Sequence, residues 1–119
     1  MAATPPTFVI YQRGGRRVLT VTGTLDARWS NRLVSEFGAA AESLTSRDDL
    51  VIDLSGVVTF ETRALRTLAR CSLLADALEI RWHVIVSDAL GRELDLVGAD
   101  RRLPLVRLAP RTTAAVKPA

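Results

Sequence analysis

The stretch LVIDLSGVVTFETRAL, from Leu50 to Leu65, decides the fold of this chain. Four of its first six residues, up to Ser55, are apolar, and the six carry a single charge. Such a run is typical of a strand that is buried on both faces, as in parallel sheets covered by helices. A short polar loop follows, and an amphipathic pattern then continues to about Leu78. The stretch therefore predicts a strand, a loop and a long helix, in that order.

The residues before this unit predict a β-hairpin and a first helix. Phe8 to Tyr11 and Arg17 to Thr22 are rich in β-branched and aromatic residues and flank the pair Gly14-Gly15, which is a hairpin signal. Gly23 to Asp26 is expected to break the second strand. A first helix is then predicted from about Ala27 to Ser43, because apolar residues recur every three or four positions. This helical face is formed by Trp29, Leu33, Phe37, Ala40 and Leu44.

The residues after the central strand predict two further helices and two further strands. The inward stripe of the second helix consists of Ala64, Leu68, Cys71, Ala75 and Leu78. Ile80 to Val86 is expected to be a strand, and Ser87 or Asp88 can cap a third helix that Gly98 ends. The apolar residues of this third helix are Leu90, Leu94 and Val97. Leu105 to Leu108 is predicted to be a last, short strand.

The predicted order of elements is β-β-α-β-α-β-α-β. A hairpin followed by right-handed β-α-β units gives a mixed central sheet with helices packed against it, so the predicted fold class is α/β. A chain of 119 residues fits a single domain with a real core. We place that domain at residues 1–109. Residues 110–119 contain two prolines and no apolar period, and we expect a disordered tail there.

Composition and charge narrow the class of function. The chain is 48% hydrophobic and 24% charged, with a net charge of +3, as in an ordinary globular protein. Its arginines are scattered along the sequence, which argues against a nucleic-acid-binding tract. The single cysteine, Cys71, excludes an internal disulfide and makes a reducing compartment the default. Neither a signal peptide nor a membrane span is recognisable, so we expect a soluble, cytoplasmic protein.

The motif Asp53-Leu54-Ser55-Gly56-Val57, with the eight residues that follow it, resembles the STAS domain, the fold of the anti-sigma factor antagonists. The pattern of that family is Asp-Leu-Ser-Gly-Val-x-x-x-Asp-Ser-Ser-Gly-Leu, and it lies on this sequence without a gap. The first half of the pattern matches fully. In the second half, Glu61 stands for the aspartate, Thr62 for the serine that the family phosphorylates, Arg63 for the second hydroxyl and Ala64 for the glycine.

This resemblance implies a binding protein of bacterial transcription regulation that has no catalytic activity. In the family, the unphosphorylated antagonist binds an anti-sigma factor with a kinase-type ATPase fold, which frees the sigma factor, and phosphorylation by that kinase breaks the complex. The resemblance makes Thr62 the phosphoacceptor candidate of this chain. The loops before the first and second helices should emerge together at one end of the sheet as a partner surface. Its expected residues are Asp26, Trp29, Glu61, Thr62, Arg63 and Arg66.

The residues themselves leave structural alternatives open for several of these positions. Thr62, or less well Glu61, can serve as the N-cap of the second helix, since its side-chain oxygen can accept a hydrogen bond from the first turn. Trp29 can belong to the apolar face of the first helix or stand exposed as a binding anchor. Arg63 can pair with a phosphate or be one of several solvated arginines on the helix.

No complete catalytic or metal-binding set is recognisable in the sequence. His83 is the only histidine, Cys71 falls on the inward stripe of a helix, and neither a phosphate-cradling loop nor a nucleophile elbow is present. We therefore expect no catalytic residues, no cofactor, no metal, and neither a nucleic-acid nor a membrane partner. Two other functions stay open: a STAS subunit of an ABC-type phospholipid or anion transporter, and a weak nucleotide-binding domain. The sequence does not indicate an oligomeric state.

Overall fold

An N-terminal hairpin followed by three helix-strand units makes up the described part of the chain. The computed structural model describes residues 5–44, 48–98 and 103–107. The elements are β1 (Thr7–Arg13), β2 (Arg16–Leu25), a 3-10 turn (Ala27–Trp29), α1 (Ser30–Glu42), β3 (Asp49–Phe60), a second 3-10 turn (Thr62–Ala64), α2 (Leu65–Ala77), β4 (Trp82–Val86), α3 (Asp88–Leu96) and β5 (Leu105–Arg107). Their order is the predicted one. The tail predicted at residues 110–119 lies outside the described residues.

The five strands form one sheet in the order β1-β2-β3-β4-β5. β1 runs antiparallel to β2, and the other three pairs are parallel, so the predicted mixed α/β sheet is confirmed. Because successive crossovers step in the same direction, right-handed connections place all three helices on one face. The contacts agree. The rings of Phe37 in α1 and Trp82 in β4 meet edge to face, 5.4 Å apart, and Arg107 in β5 donates a hydrogen bond to the Gly91 carbonyl of α3.

The core lies between this sheet face and the helices. Leu19, Ile52 and Val84 are neighbours in register across the three central strands, and all three are fully buried. The helices cover them with Leu33, Phe37, Leu68, Cys71, Leu90 and Leu94. Val51 points to the opposite sheet face, where its register partners are Val18 and His83. Val51 is buried there, so the strand is buried on both faces as predicted, but the helices lie on the other face and do not cover Val51.

Two predicted strand ends are wrong, and both strands are longer than expected. β2 continues through Gly23 to Leu25, and β3 continues beyond Ser55 to Phe60. The two extensions pair with each other, with Leu25 opposite Phe60. The glycine and polar residues that were predicted to end these strands therefore lie within the sheet, because each extension supplies the other with backbone hydrogen-bond partners.

Two helix ends follow known capping chemistry, whereas the starts of α1 and α2 have no side-chain cap. Ser87 caps α3, since its hydroxyl accepts a hydrogen bond from the Leu90 backbone N–H at 3.1 Å. After α2 the chain turns at Glu79, whose φ of 55° is in the left-handed region that favours glycine. Leu78, which was predicted to face inward, and Val97, an apolar residue of the predicted third helix, are 47% and 53% exposed, because both lie just beyond the last turn of their helices.

Candidate functional site

The two loops that were predicted to form a surface do emerge side by side at the carboxyl edge of the sheet. The backbone N–H of Glu61 donates to the Leu25 carbonyl at 3.1 Å, which extends the β2–β3 pairing to the end of both strands. The 3-10 turns that lead into α1 and α2 begin directly after this contact. Residues 24–29 and 61–66 therefore border one edge, which we call the carboxyl-edge surface.

The Asp-Leu-Ser-Gly motif shapes the end of β3 through a bulge. Thr20 pairs with Asp53, and Thr22 pairs with Gly56. Between these two pairs, β3 has one residue more than β2. Asp53 stabilises the irregular turn of the chain, because its Oδ1 accepts hydrogen bonds from the Ser55 backbone N–H at 2.9 Å and the Ser55 hydroxyl at 2.6 Å. A Cβ on Gly56 would lie only 2.8 Å from Cγ2 of Thr22. The motif thus consists of residues that fit this bulge.

A second bulge exposes an apolar side chain that the sequence does not single out. Gly23 pairs with Val57 and Thr24 with Thr59, which leaves Val58 without a register partner. The side chain of Val58 is 82% exposed. Bulges re-aim side chains and are frequent beside functional sites. In the sequence, Val57 and Val58 are a plain aliphatic pair, so no local signal distinguishes the one that faces solvent.

Asp26 orders the first loop, and its own side chain is largely buried. Its residue is only 8% exposed, and its carboxylate accepts hydrogen bonds from the Arg28 backbone at 2.9 Å and from the Arg28 guanidinium, also at 2.9 Å. The guanidinium holds the pKa of Asp26 below its usual value. The Arg28 side chain is 74% exposed. The partner contact of Asp26 stays a prediction, whereas the exposed side chain beside it belongs to Arg28, which sequence reasoning missed.

Trp29 packs inward rather than standing free. It is half-buried and lies against the core cluster beneath α1. This placement agrees with the apolar-face alternative and leaves only part of the indole on the carboxyl-edge surface. A partner could therefore touch its edge, but the ring is not a free anchor.

Thr62 is exposed and does not cap a helix, which corrects the N-cap interpretation. It is the first residue of a 3-10 turn whose cap position is Glu61, and no side chain caps that turn. α2 begins only at Leu65, and its cap position is the buried Ala64. Since capping does not occupy the Thr62 hydroxyl, the group is accessible to a partner or a modifying enzyme. Glu61 is exposed beside it.

Four exposed arginines surround these two loops. Arg63, Arg66 and Arg70 are spaced three and four residues apart, which places them along one face of the second turn and α2. Arg70 reaches α1, where its guanidinium donates to the Asn31 side-chain oxygen at 3.4 Å. Arg28, in the 3-10 turn before α1, is the exposed arginine of the first loop. We call Arg28, Arg63, Arg66 and Arg70 the arginine patch.

The charges along α1 and α2 run against the helix dipole. Neither helix has an acid in its first turn or a base in its last turn. The acids lie from the middle of each helix onward, with Glu36 and Glu42 in α1, Asp76 in α2 and Glu79 just after it. A helix is stabilised by the reverse order, acids at its amino end and bases at its carboxyl end. Helix stability therefore does not explain why the arginines are at this edge.

The other candidates from the sequence lie away from this surface. Cys71 is fully buried in α2, and burial raises the pKa of its thiol to about 12, so the thiolate needed for redox chemistry is disfavoured. This agrees with the core interpretation. His83 is exposed on the sheet face opposite the helices. Two open concavities of about 510 and 390 Å³ both border Ile80 and Arg81, at the opposite edge of the sheet.

Within residues 5–44, 48–98 and 103–107, no three His, Cys, Asp or Glu side chains are grouped as a metal site requires. None of the helices found there is long and apolar enough to cross a lipid bilayer.

Comparison with protein-family models gives no match, and comparison with curated proteins gives none. Comparison with solved structures does give matches. An anti-sigma factor antagonist from Mycobacterium paratuberculosis is 28% identical and superposes with a TM-score of 0.73, over 94% of both chains. The anti-sigma factor antagonist SpoIIAA, in its unphosphorylated form, is 10% identical with a TM-score of 0.66, over 91% of this chain and 93% of its own.

A transporter also contains this fold. The murine solute carrier 26 family member A9 anion transporter matches with a TM-score of 0.66 and 15% identity, over 83% of this chain but only 17% of the transporter. At this level of identity the likeness shows the fold alone. Together the comparisons confirm the resemblance to the STAS domain of the anti-sigma factor antagonists.

Proposed function

We propose that this chain, which has the STAS fold of the anti-sigma factor antagonists, is a non-enzymatic regulator that binds an anti-sigma factor. The partner would be a bacterial, cytoplasmic protein with a kinase-type ATPase fold, and its capture would release a sigma factor for transcription. Support comes from the similarity to the mycobacterial antagonist, which at 28% identity extends over 94% of both chains.

The observation that carries the proposal is the joint exposure of the two loops at the carboxyl-edge surface. Glu61 is hydrogen-bonded to Leu25, so the loop with Thr62 and the loop with Arg28 form one continuous area. Thr62 stands where the family pattern has its phosphorylated serine, and its side chain points to solvent without a capping role. A partner that binds this area would cover the hydroxyl.

A phosphate on Thr62 would act on the partner rather than on the fold. The group is exposed, so a charge of about −1.5 to −2 adds to the surface without entering the core. In a complex that formed around a neutral hydroxyl, the same charge would have to be desolvated at the interface, which weakens binding. Phosphorylation by the partner would thus end the complex. The position of Thr62 in the family pattern supports this switch.

The test begins with affinity purification of the full chain from its native cells, followed by isothermal titration against the purified anti-sigma factor. Thr62→Glu should weaken binding at least tenfold, about 1.4 kcal/mol. Ser35→Glu is the matched control, because it adds the same charge at an exposed position on α1, and it should bind like wild type. Equal binding by all three proteins would place the interface elsewhere. If Thr62→Glu loses binding but no phosphate is detectable on wild-type Thr62 after incubation with the partner and ATP, the chain binds its partner constitutively and has no phosphorylation switch.

A second function is kept open by the transporter match. The fold occurs as a small part of an anion transporter, so this chain could instead associate with a transport protein through the same surface. The affinity purification separates the two proposals. Recovery of membrane transport proteins in place of an anti-sigma factor would favour the second.

A further inference from the structure

We propose that the arginine patch is the receptor for an acidic surface of the protein partner. The inference rests on the proposed function for the identity of that partner but not for its charge. It assigns a binding role to Arg28 and Arg70 in addition to Arg63 and Arg66, which the sequence already predicts at the partner surface.

The four cations form one area rather than scattered charges. Arg63 and Arg70 are separated by seven residues, a rise of roughly 10 Å along a helix. The hydrogen bond from Arg70 to Asn31 joins this row to α1. Arg28 completes the area from the first loop, since it is drawn toward the edge by its ion pair with Asp26. The area therefore spans the amino ends of both helices.

Few acids of the chain neutralise the patch. Asp26 is engaged by Arg28, and Glu61 is the exposed acid near it, close enough to favour the charged form of Arg28. Within the described residues, Arg63, Arg66 and Arg70 form no ion pair. Three exposed cations are thus available to a ligand from outside.

The position of the cations favours an external anion over a structural role. Both helices begin at the carboxyl edge, so the partial positive charges of their amino ends add to the arginines. This concentration of like charge disfavours folding, and a chain that needed only stability would reverse it. An acidic ligand would be attracted by the arginines and the helix ends together.

The surroundings of the patch favour a protein over a nucleic acid. Val58, three residues before Glu61, is 82% exposed, and Trp29, next to Arg28, is partly accessible, so exposed apolar surface lies close to the cations along the chain. An apolar group rimmed by charge is typical of protein interfaces. Four arginines within this short span are also fewer than the roughly 6 to 10 phosphate contacts of a protein that binds DNA strongly.

Two-dimensional NMR of the full chain tests the inference with defined probes. A hexaglutamate peptide, added at low ionic strength, should shift the backbone amides of residues 28–31 and 61–70, and the shifts should fade as salt is raised. A hexalysine peptide should leave these amides unchanged. Shifts by hexaglutamate elsewhere, or none at all, would overturn the proposal. Stronger binding of a six-nucleotide single-stranded DNA at the same amides would overturn the assignment to a protein.

Charge-reversal variants complete the test. Arg66→Glu should weaken hexaglutamate binding roughly three- to tenfold without lowering the melting temperature. Arg13→Glu is the matched control, because Arg13 is exposed at the hairpin on the opposite edge, and it should bind the peptide like wild type. Equal loss in both variants would mean that only net charge matters and would refute a localised receptor. Patch binding by hexaglutamate, with no anti-sigma factor recovered from cells, would refute the proposed function and leave this inference standing.

Discussion

The glycine of the Asp-Leu-Ser-Gly motif offers a sharp test of how β2 and β3 fit together. A Cβ on Gly56 would lie 2.8 Å from Cγ2 of Thr22, which is closer than carbon atoms approach without strain. Thr22 is β-branched, so its χ1 is restricted in a strand and it cannot turn away freely. Gly56 does not have a positive φ. The barrier to alanine at this position is therefore steric and not conformational.

Two opposing terms set the size of the effect. Overpacking costs about 1 to 3 kcal/mol, whereas alanine in place of a strand glycine gains about 0.5 to 1 kcal/mol of backbone entropy. Gly56→Ala should thus destabilise the wild-type protein by about 0.5 to 2 kcal/mol. Thr22→Ser removes Cγ2 and keeps the hydroxyl. In that background, Gly56→Ala should be neutral or stabilising by up to about 1 kcal/mol.

Urea titration of the four proteins measures the coupling as a double-mutant cycle. The expected interaction energy between the two positions is at least about 1 kcal/mol. If Gly56→Ala lowers the stability equally with Thr22 and with Ser at that position, the close approach is not the reason for the glycine. The bulge geometry that supports the carboxyl-edge surface would then need a different explanation.

Three other predictions concern the core, one helix end and the first loop. Ile52→Ala should cost about 2 to 5 kcal/mol in urea titration, because Ile52 is fully buried, while Val58→Ala in the same strand should change stability by less than about 0.5 kcal/mol; similar values for both would contradict the burial pattern. Glu79→Gly should raise the unfolding free energy by about 0.5 to 1 kcal/mol, since φ is 55° there, and a loss would show that the Glu79 side chain makes a stabilising contact. The pKa of Asp26 is lowered in the folded state. The ionised carboxylate therefore stabilises the fold above about pH 4, and this stabilisation is lost as the pH falls through the lowered pKa. Asp26→Asn should therefore lower the melting temperature at neutral pH, with a difference that shrinks in acid; a constant difference would exclude the ionic contribution.

Much of the fold follows from the sequence because hydrophobic periodicity reports burial directly. The apolar run of β3 and the spacing of α1 and α2 identify the core, and Ser87 identifies the start of α3. The extensions of β2 and β3 could not be predicted from the sequence, because Gly23 and Gly56 indicate turns when the partner strand is unknown. Which strand face the helices cover depends on the direction of the crossovers, and a local pattern does not contain that information.

The candidate site was predictable in position but not in detail. The adjacency of its two loops follows from parallel strands that end at one edge. The burial of Asp26 depends on Arg28 folding back over it, and the exposure of Val58 depends on a register shift. Both result from tertiary pairing, so neither could be read from neighbouring residues. The arginine patch joins positions from two loops and a helix and becomes visible only when these are assembled.

The reversed charge order of α1 and α2 makes the proposed binding surface detectable by selection alone. Each cation at the amino end of a helix opposes the dipole by about 0.3 to 1 kcal/mol, so random variants propagated only for resistance to protease should enrich acids at Arg63 and Arg66. Cells that require the partner should purge the same variants. The ratio of the two enrichments would trace the outline of the interface, residue by residue, before the partner has been purified.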